Sequence, residues 1–231
     1  VWGSIRASSR SPMTSSSGSS GEWRQALAKS CAAASEVTDA VFFTGATSGI
    51  GEALACHYAA AGATLGLVAR RATELQRVAA ALHPATVVTY AADVRDAPAL
   101  ATAGADFCAR FGAPDIVIAN AGVSRGTLTD EPADLRAFQV VFDTNVMGMA
   151  TTFHPFIAGM KARRRGTLVS IASVAGVRGL PGSDAYCASK AAAIIYCESL
   201  RVEMAKYGIK VVTISPGFIR TSMTNRNPYQ M

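Results

Sequence analysis

Ala40-Val41-Phe42-Phe43-Thr44-Gly45-Ala46-Thr47-Ser48-Gly49-Ile50-Gly51 is the stretch whose reading decides the fold. Five uncharged residues, Ala40 to Thr44, read as a short buried strand, a turn carrying three glycines follows, and Ile50 to Ala61 reads as a helix. A lone glycine-rich turn is weak evidence. A turn between a strand and a helix is stronger, because it gathers backbone N–H groups and a helix N-terminus at one point, where they suit a diphosphate. Gly45 permits the tight turn, Gly49 lets the backbone approach an anion, and Gly51 lets the helix pack on the sheet. Thr47, Ser48 and Ile50 complete the cradle.

Alternation of strand and helix continues outward from that point. Thr64 to Ala69, Thr86 to Ala91, Asp115 to Ile118, Thr167 to Ile171 and Lys210 to Ser215 read as further strands. Between them lie helical segments, among them Pro98 to Arg110 and a long stretch from Pro132, after a Thr129 or Asp130 cap, to about Lys161. This pattern predicts a doubly wound parallel sheet of the Rossmann type over residues 37–231. Function in such a sheet gathers at the carboxyl ends of the strands.

One helix carries a chemical pair. Ser183 or Asp184 is positioned to cap it, and the alanine-rich run to Leu200 places Tyr186 and Lys190 four residues apart on one face. A phenol titrates near pH ~10, and an adjacent cation brings it toward a usable acid or base. Ser173, just beyond the fifth strand, adds a hydroxyl. A Tyr and a Lys at this spacing are more often a half-buried aromatic and a solvated charge, so the pair acquires meaning from its company.

That company is the glycine turn, the segment Asn120-Ala121-Gly122, and Ser173 with Tyr186-Cys187-Ala188-Ser189-Lys190. Together, and in this order, they make the chain from about Asp39 to Thr221 resemble the short-chain dehydrogenase/reductase family in its single-domain form. The resemblance implies hydride transfer between a nicotinamide cofactor and a carbonyl or alcohol. Tyr186 would be the general acid/base, Lys190 would lower its pKa and bind the nicotinamide ribose, Ser173 would hold the substrate oxygen, and Asn145 would hold a relay water. It further implies that Asp93-Val94 bracket the adenine, that Asn120, Ala121 and Gly122 line the crevice, and that Pro216, Gly217 and Thr221 form the turn over the nicotinamide. By sequence alone, Asn145 serves equally as a buried structural amide and Asp93 as a helix cap.

The cofactor is read from the end of the second strand. Folds that select NAD usually carry an acid there, whereas this chain has Ala69 followed by Arg70, as in NADP-preferring relatives. Arg70 is thus assigned to the 2′-phosphate of NADP(H), with Arg71 as a second candidate. The competing use for Arg70 is to open a helix with its head in water.

Composition narrows the remaining classes. The chain has 231 residues, 50% hydrophobic, enough for one sizeable core, and residues 1–36 form a serine- and glycine-rich tail expected to be disordered, with a short helix from Glu22 to Ala34. The longest apolar stretch, Phe138 to Phe156, is broken by Asp143, Asn145, His154 and Pro155, so no membrane span is expected. The net charge of +6 is scattered apart from Arg163-Arg164-Arg165, read as a solvated loop, so no nucleic-acid partner is expected. Five cysteines without a Cys-x-x-Cys pair fit reduced thiols in a cytoplasmic enzyme, and the isolated histidines predict no metal site.

Only ten residues follow Thr221, where family members continue through a substrate cover and another strand. The sequence therefore predicts a sheet that stops at its sixth strand with an unpaired edge, and a catalyst incomplete as written. The substrate-side set is expected to be Ser124, Arg125, Val174, Leu180, Pro181, Gly182 and Met223, and the resemblance favours a homodimer or homotetramer packed through the helices that carry Asn145 and Tyr186. Two other classes remain open: a dinucleotide-binding sensor or scaffold without turnover, and an epimerase or dehydratase of the extended relatives.

Overall fold

The structure is a computed structural model that describes residues 39–221. The serine-rich tail with its expected helix, and Met223, lie outside the described residues. Six strands form one parallel sheet: β1 (Ala40–Thr44), β2 (Thr64–Ala69), β3 (Val87–Ala91), β4 (Ile116–Ala119), β5 (Gly166–Ile171) and β6 (Ile209–Ile214). Their spatial order is β3-β2-β1-β4-β5-β6, with the order reversing beside β1, where a crevice must open. The crossovers are helical: α1 (Gly49–Ala60), α2 (Ala72–Ala81), α3 (Ala97–Phe111), α4 (Asp134–Phe142), α5 (Gly148–Arg163) and α6 (Asp184–Ala205).

The alternation of side chains along β1 builds two cores, one on each face of the sheet. Phe42 packs with Phe107, Phe153 and Phe156, its ring centroid 4.6 Å from that of Phe156. Val41 and Phe43 point the other way and meet Leu65, Leu67 and Leu75. A strand covered on both faces has no place for charge, which is why β1 and β2 read as uninterrupted apolar runs.

Several local expectations are corrected. The long segment does not begin at Pro132 with a Thr129 or Asp130 cap. Its first helix starts at Asp134, whose carboxylate accepts the Leu128 N–H at 2.9 Å. The segment is also not uniformly α-helical, since Asp143–Met147 forms one wide π turn between α4 and α5. The cap of α3 is Asp96, which accepts the Ala99 N–H at 3.0 Å, while Asp93 is engaged by Arg95 at 2.7 Å. Ser183 precedes α6 without a side-chain cap bond, and Asp184 bonds across to other segments.

The three arginines only partly match a solvated loop: Arg164 and Arg165 are exposed, yet all three also fasten neighbouring segments, Arg164 through the Lys206 carbonyl at 2.9 Å. Arg163 donates to the main-chain carbonyls of Ala113 and Pro114, while Arg165 donates to Asp115 at 2.8 Å. Asp115, only 18% exposed at its side chain, also accepts the Ala40 N–H at 3.0 Å, joining the starts of β1, β4 and β5. Hydrogen bonds to a charged group contribute about 1.5–3 kcal/mol each. Asp115→Ala should therefore destabilise the fold by about 2–3 kcal/mol, since it leaves Ala40 N–H and both guanidiniums without this acceptor. Urea unfolding checks this, and a loss under about 0.5 kcal/mol, the surface-substitution range, would defeat it.

Candidate active site

The crevice at the carboxyl ends of the strands has a volume of about 310 Å³, within the range of small-molecule sites. Its floor begins at the glycine turn. Ser48 precedes α1 with no side-chain cap bond, so first-turn N–H groups at Gly49 and Ile50 face the crevice and can receive an anion. Gly49 has φ +57°, a conformation that other residues adopt only with strain, and a Cβ there would stand 3.1 Å from Thr221. Gly51 does not reach the crevice wall. It sits behind the turn, where a Cβ would approach the Gly45 carbonyl oxygen to 2.0 Å, so its absence of side chain permits the helix to close on the strand.

Asn120 stabilises this turn from the neighbouring strand: its Nδ2 donates to the carbonyl oxygens of Thr44 and Gly45, both at 3.1 Å. Ala121 donates its N–H to the Thr44 hydroxyl, and Gly122 completes that part of the wall. At the β2 and β3 ends, Arg70, Arg71, Asp93 and Val94 line the crevice. The Arg95 guanidinium, bonded to Asp93, is the first cause holding that carboxyl below its usual pKa, with the Arg70 charge a lesser contributor. On the far side, Pro216, Gly217 and Thr221 follow β6 and face the same space, as Thr47 does from the glycine turn.

The catalytic candidates meet at the end of β5. Ser173 and Tyr186 line the same crevice, and the Lys190 ammonium lies 5.8 Å from the centroid of the Tyr186 ring. Lys190 is 6% exposed and donates to the Ile171 carbonyl oxygen at 2.7 Å. Burial lowers its pKa from 10.5 to about 8. Burial also raises the Tyr186 pKa above 10.0, partly opposed by the Ser173 hydroxyl. The lowering of the phenol by the Lys190 cation expected from sequence is not found: desolvation is the largest cause, and Lys190 is not among the causes that act on Tyr186.

Asn145 lies beneath the wall, 3% exposed, in the π turn. Its Oδ1 accepts the Val123 N–H at 2.8 Å, while its Nδ2 donates to the Val123 carbonyl and to the Ser189 hydroxyl at 3.0 Å. Ser189 in turn donates to the Tyr186 carbonyl oxygen at 2.8 Å. Sequence reading missed Ser189, although its position three residues after Tyr186, on the same helical face, was a usable signal. It also missed Val123 and Ile219, which line the crevice, whereas Ser124, Arg125, Val174, Leu180, Pro181 and Gly182 of the expected substrate-side set do not. Among the described residues, no group of three or more His, Cys, Asp or Glu is placed to hold a metal ion, and no helix is long and apolar enough to cross a membrane.

A parallel sheet in the order β3-β2-β1-β4-β5-β6, with an uncapped helix N-terminus at the reversal, defines the dinucleotide-binding α/β class. Within it, a family model described as short chain dehydrogenase matches residues 39–230. The chain belongs to the short-chain dehydrogenase/reductase family and is an oxidoreductase of that family. It is 38% identical over 190 residues to an uncharacterized oxidoreductase of Myxococcus xanthus, covering 81% of this chain and 75% of that one. It is 36% identical over 193 residues to dehydrogenase/reductase SDR family member 7B of Mus musculus, covering 80% of this chain but 58% of that protein's length. A solved 3-oxoacyl-[acyl-carrier protein] reductase from Brucella melitensis with bound NAD is 31% identical, with a TM-score of 0.74 over 81% of this chain and 74% of that one. ElxO with NADP bound has the same TM-score at 26% identity, covering 82% and 77%.

The Lys190 pKa gives a stability prediction whose sign can be worked out. Below pH 8 both folded and unfolded chains carry the proton, so the cost of the buried charge is fully present. Between about 8 and 10.5 the unfolded chain binds more protons than the folded one, so this cost is relieved and stability rises with pH. The raised Tyr186 pKa acts oppositely above 10.0, because the unfolded phenol then loses its proton first. Wild type should therefore gain on Lys190→Met from pH 8 to 10, a comparison in which Tyr186 is common to both. Urea unfolding across that range tests it, and a constant difference would refute the buried, depressed ammonium.

Proposed function

We propose that this oxidoreductase interconverts a carbonyl and an alcohol by exchanging a hydride with NADP(H), using Tyr186 as general acid and base. The observation that carries the reading is that Ser173, Tyr186 and the buried Lys190 line one crevice together with the glycine turn, the Lys190 ammonium 5.8 Å from the centroid of the Tyr186 ring. The nicotinamide, when bound, supplies or accepts the hydride. In reduction Tyr186 gives its proton to the carbonyl oxygen, and in oxidation it takes the alcohol proton. Ser173 donates a hydrogen bond to that same oxygen.

The raised Tyr186 pKa fits the reducing direction, since a desolvated phenol holds its proton. For the reverse direction, Lys190 would favour the phenolate and would also bond the nicotinamide ribose. Asn145, held by three hydrogen bonds, would keep a water against Lys190 for proton exchange with solvent. Pro216, Gly217 and Thr221 would hold the nicotinamide end of the cofactor, and Asp93 and Val94 the adenine end.

Because relatives hold either NAD or NADP, the cofactor choice rests on the end of β2. Ala69 leaves no carboxylate there for the ribose hydroxyls, and Arg70 lies on the crevice wall with its guanidinium available to a 2′-phosphate. A second copy of the chain is expected to pack through the helices that carry Asn145 and Tyr186, and on α6 Ile195 and Val202 present exposed apolar surface.

Two measurements test the reading. Tyr186→Phe removes only the hydroxyl, so turnover of a ketone with NADPH should fall by roughly 10²–10⁴ while NADPH affinity is kept. Near-normal turnover would remove Tyr186 from the chemistry. Arg70→Ala should weaken NADPH by roughly tenfold to a hundredfold and leave NADH nearly unchanged, from the loss of about 1.5–3 kcal/mol of charge-assisted bonding. Equal losses for both cofactors would assign Arg70 to the loop and not to the phosphate.

A further inference from the structure

The loop that follows β4 is fastened at two places. At its root, Val123 is held by Asn145 through both its N–H and its carbonyl. At its far end the partner is Asp184, the first residue of α6, which accepts hydrogen bonds from the hydroxyls of Thr127 and, at 3.1 Å, Thr129. The Thr127 N–H adds a bond to the Gly182 carbonyl at 3.2 Å. Thr127 is 3% exposed, although Gly126 and Leu128 on either side of it are open to solvent. Ser124, Arg125 and Gly126, between the two fastenings, are exposed.

Asp184 spends little of this capacity on its own helix. Its Oδ1 also accepts the Ala185 N–H at 2.7 Å, but both oxygens take a hydroxyl from the other segment, 57 and 55 residues away in sequence. An ionised carboxylate can accept about four hydrogen bonds, and three are accounted for by these contacts. The hydroxyl of Thr127 is the first cause holding the Asp184 carboxyl below its usual pKa, so the ionised form persists at neutral pH.

We propose that Asp184 is a positioning residue of the substrate side. It draws the loop over residues 123–129 against the first turn of α6 and so fixes the crevice wall at Val123 relative to Tyr186, two residues further along the same helix. The proposal rests on Tyr186 being the acid/base, yet the fastening itself is testable without turnover. Asp184 acts through Thr127 and Thr129 and does not touch reacting atoms. The helix below it stays anchored by the buried residues Ala185, Cys187, Ser189 and Lys190, so releasing Asp184 loosens the wall while Tyr186 and Lys190 keep their places. Substrate binding is affected before chemistry.

The full chain is compared with Asp184→Ala, Asp184→Asn and Thr129→Val. Trypsin cleavage after Arg125 reads the loop, because it depends on how often the segment opens. Asp184→Ala should speed that cleavage about tenfold, Asp184→Asn less because one acceptor remains, and Thr129→Val least. With NADPH and whichever of cyclohexanone, ethyl acetoacetate or 4-phenyl-2-butanone wild type reduces fastest, Asp184→Ala should raise KM about tenfold. Its kcat should stay within about twofold, with NADPH Kd unchanged. Unchanged cleavage at Arg125, or a fall in kcat accompanied by weaker NADPH binding, would overturn the proposal. Should Asp184→Ala fail to fold, Thr129→Val carries the test: faster cleavage with a raised KM supports the proposal, and no change in either defeats it. Wild type inert toward all three ketones counts against the proposed function, and the cleavage rates then decide the fastening alone.

Discussion

A buried ammonium must find acceptors within the fold, and the arrangement of this crevice depends on how that demand is met for Lys190. Its ammonium donates to the main-chain carbonyl of Ile171, the last residue of β5, so a charge on α6 is bonded to the end of a sheet strand. Burial alone would favour the neutral amine, and the depressed pKa records that cost. What the bond supplies is position: it sets the depth of α6 against β5, and Ser173, two residues beyond Ile171, therefore lies within reach of Tyr186, one helical turn before Lys190.

The same bond explains why the site has a stiff floor and a lighter roof. Asn145, Ser189 and the Tyr186 carbonyl form a continuous run of hydrogen bonds under the crevice, in which the amide of Asn145 is satisfied at both ends. The π turn makes this possible. One widened turn re-aims a side chain inward without ending the helix, and here it delivers Asn145 between α6 and the loop after β4. Above this floor, the loop over residues 123–129 and the segment after β6 are held by a few bonds each.

Charge is divided between the two ends of the sheet. At the amino ends of the strands, Asp115 takes Arg163, Arg165 and the Ala40 N–H into one cluster. At the carboxyl ends, Arg70 and Arg71 stand on the crevice wall near first-turn N–H groups of α1. The second environment is the one suited to an anionic ligand, because cations and a helix N-terminus meet there. This division follows from parallel topology, which puts every crossover start on one edge and every crossover end on the other.

The strands and the glycine turn were legible in the sequence because a strand covered on both faces must be apolar throughout and a turn must be polar or glycine-rich. β1 and β2 match their sequence reading to the residue, and Tyr186 and Lys190 share a helical face as their spacing requires. Properties set by which segment lies next to which were not legible. The tie of Arg163 to two carbonyls and of Arg165 to Asp115 could not be read from a run whose exposure was all the sequence implied. Asp184 looked like a helix cap until Thr127 and Thr129 arrived from a distant loop, and the Tyr186 pKa looked lowered until its burial was known. Periodicity and turn chemistry act over a few residues and leave a local trace, whereas desolvation and long-range hydrogen bonds depend on neighbours that only the folded chain brings together.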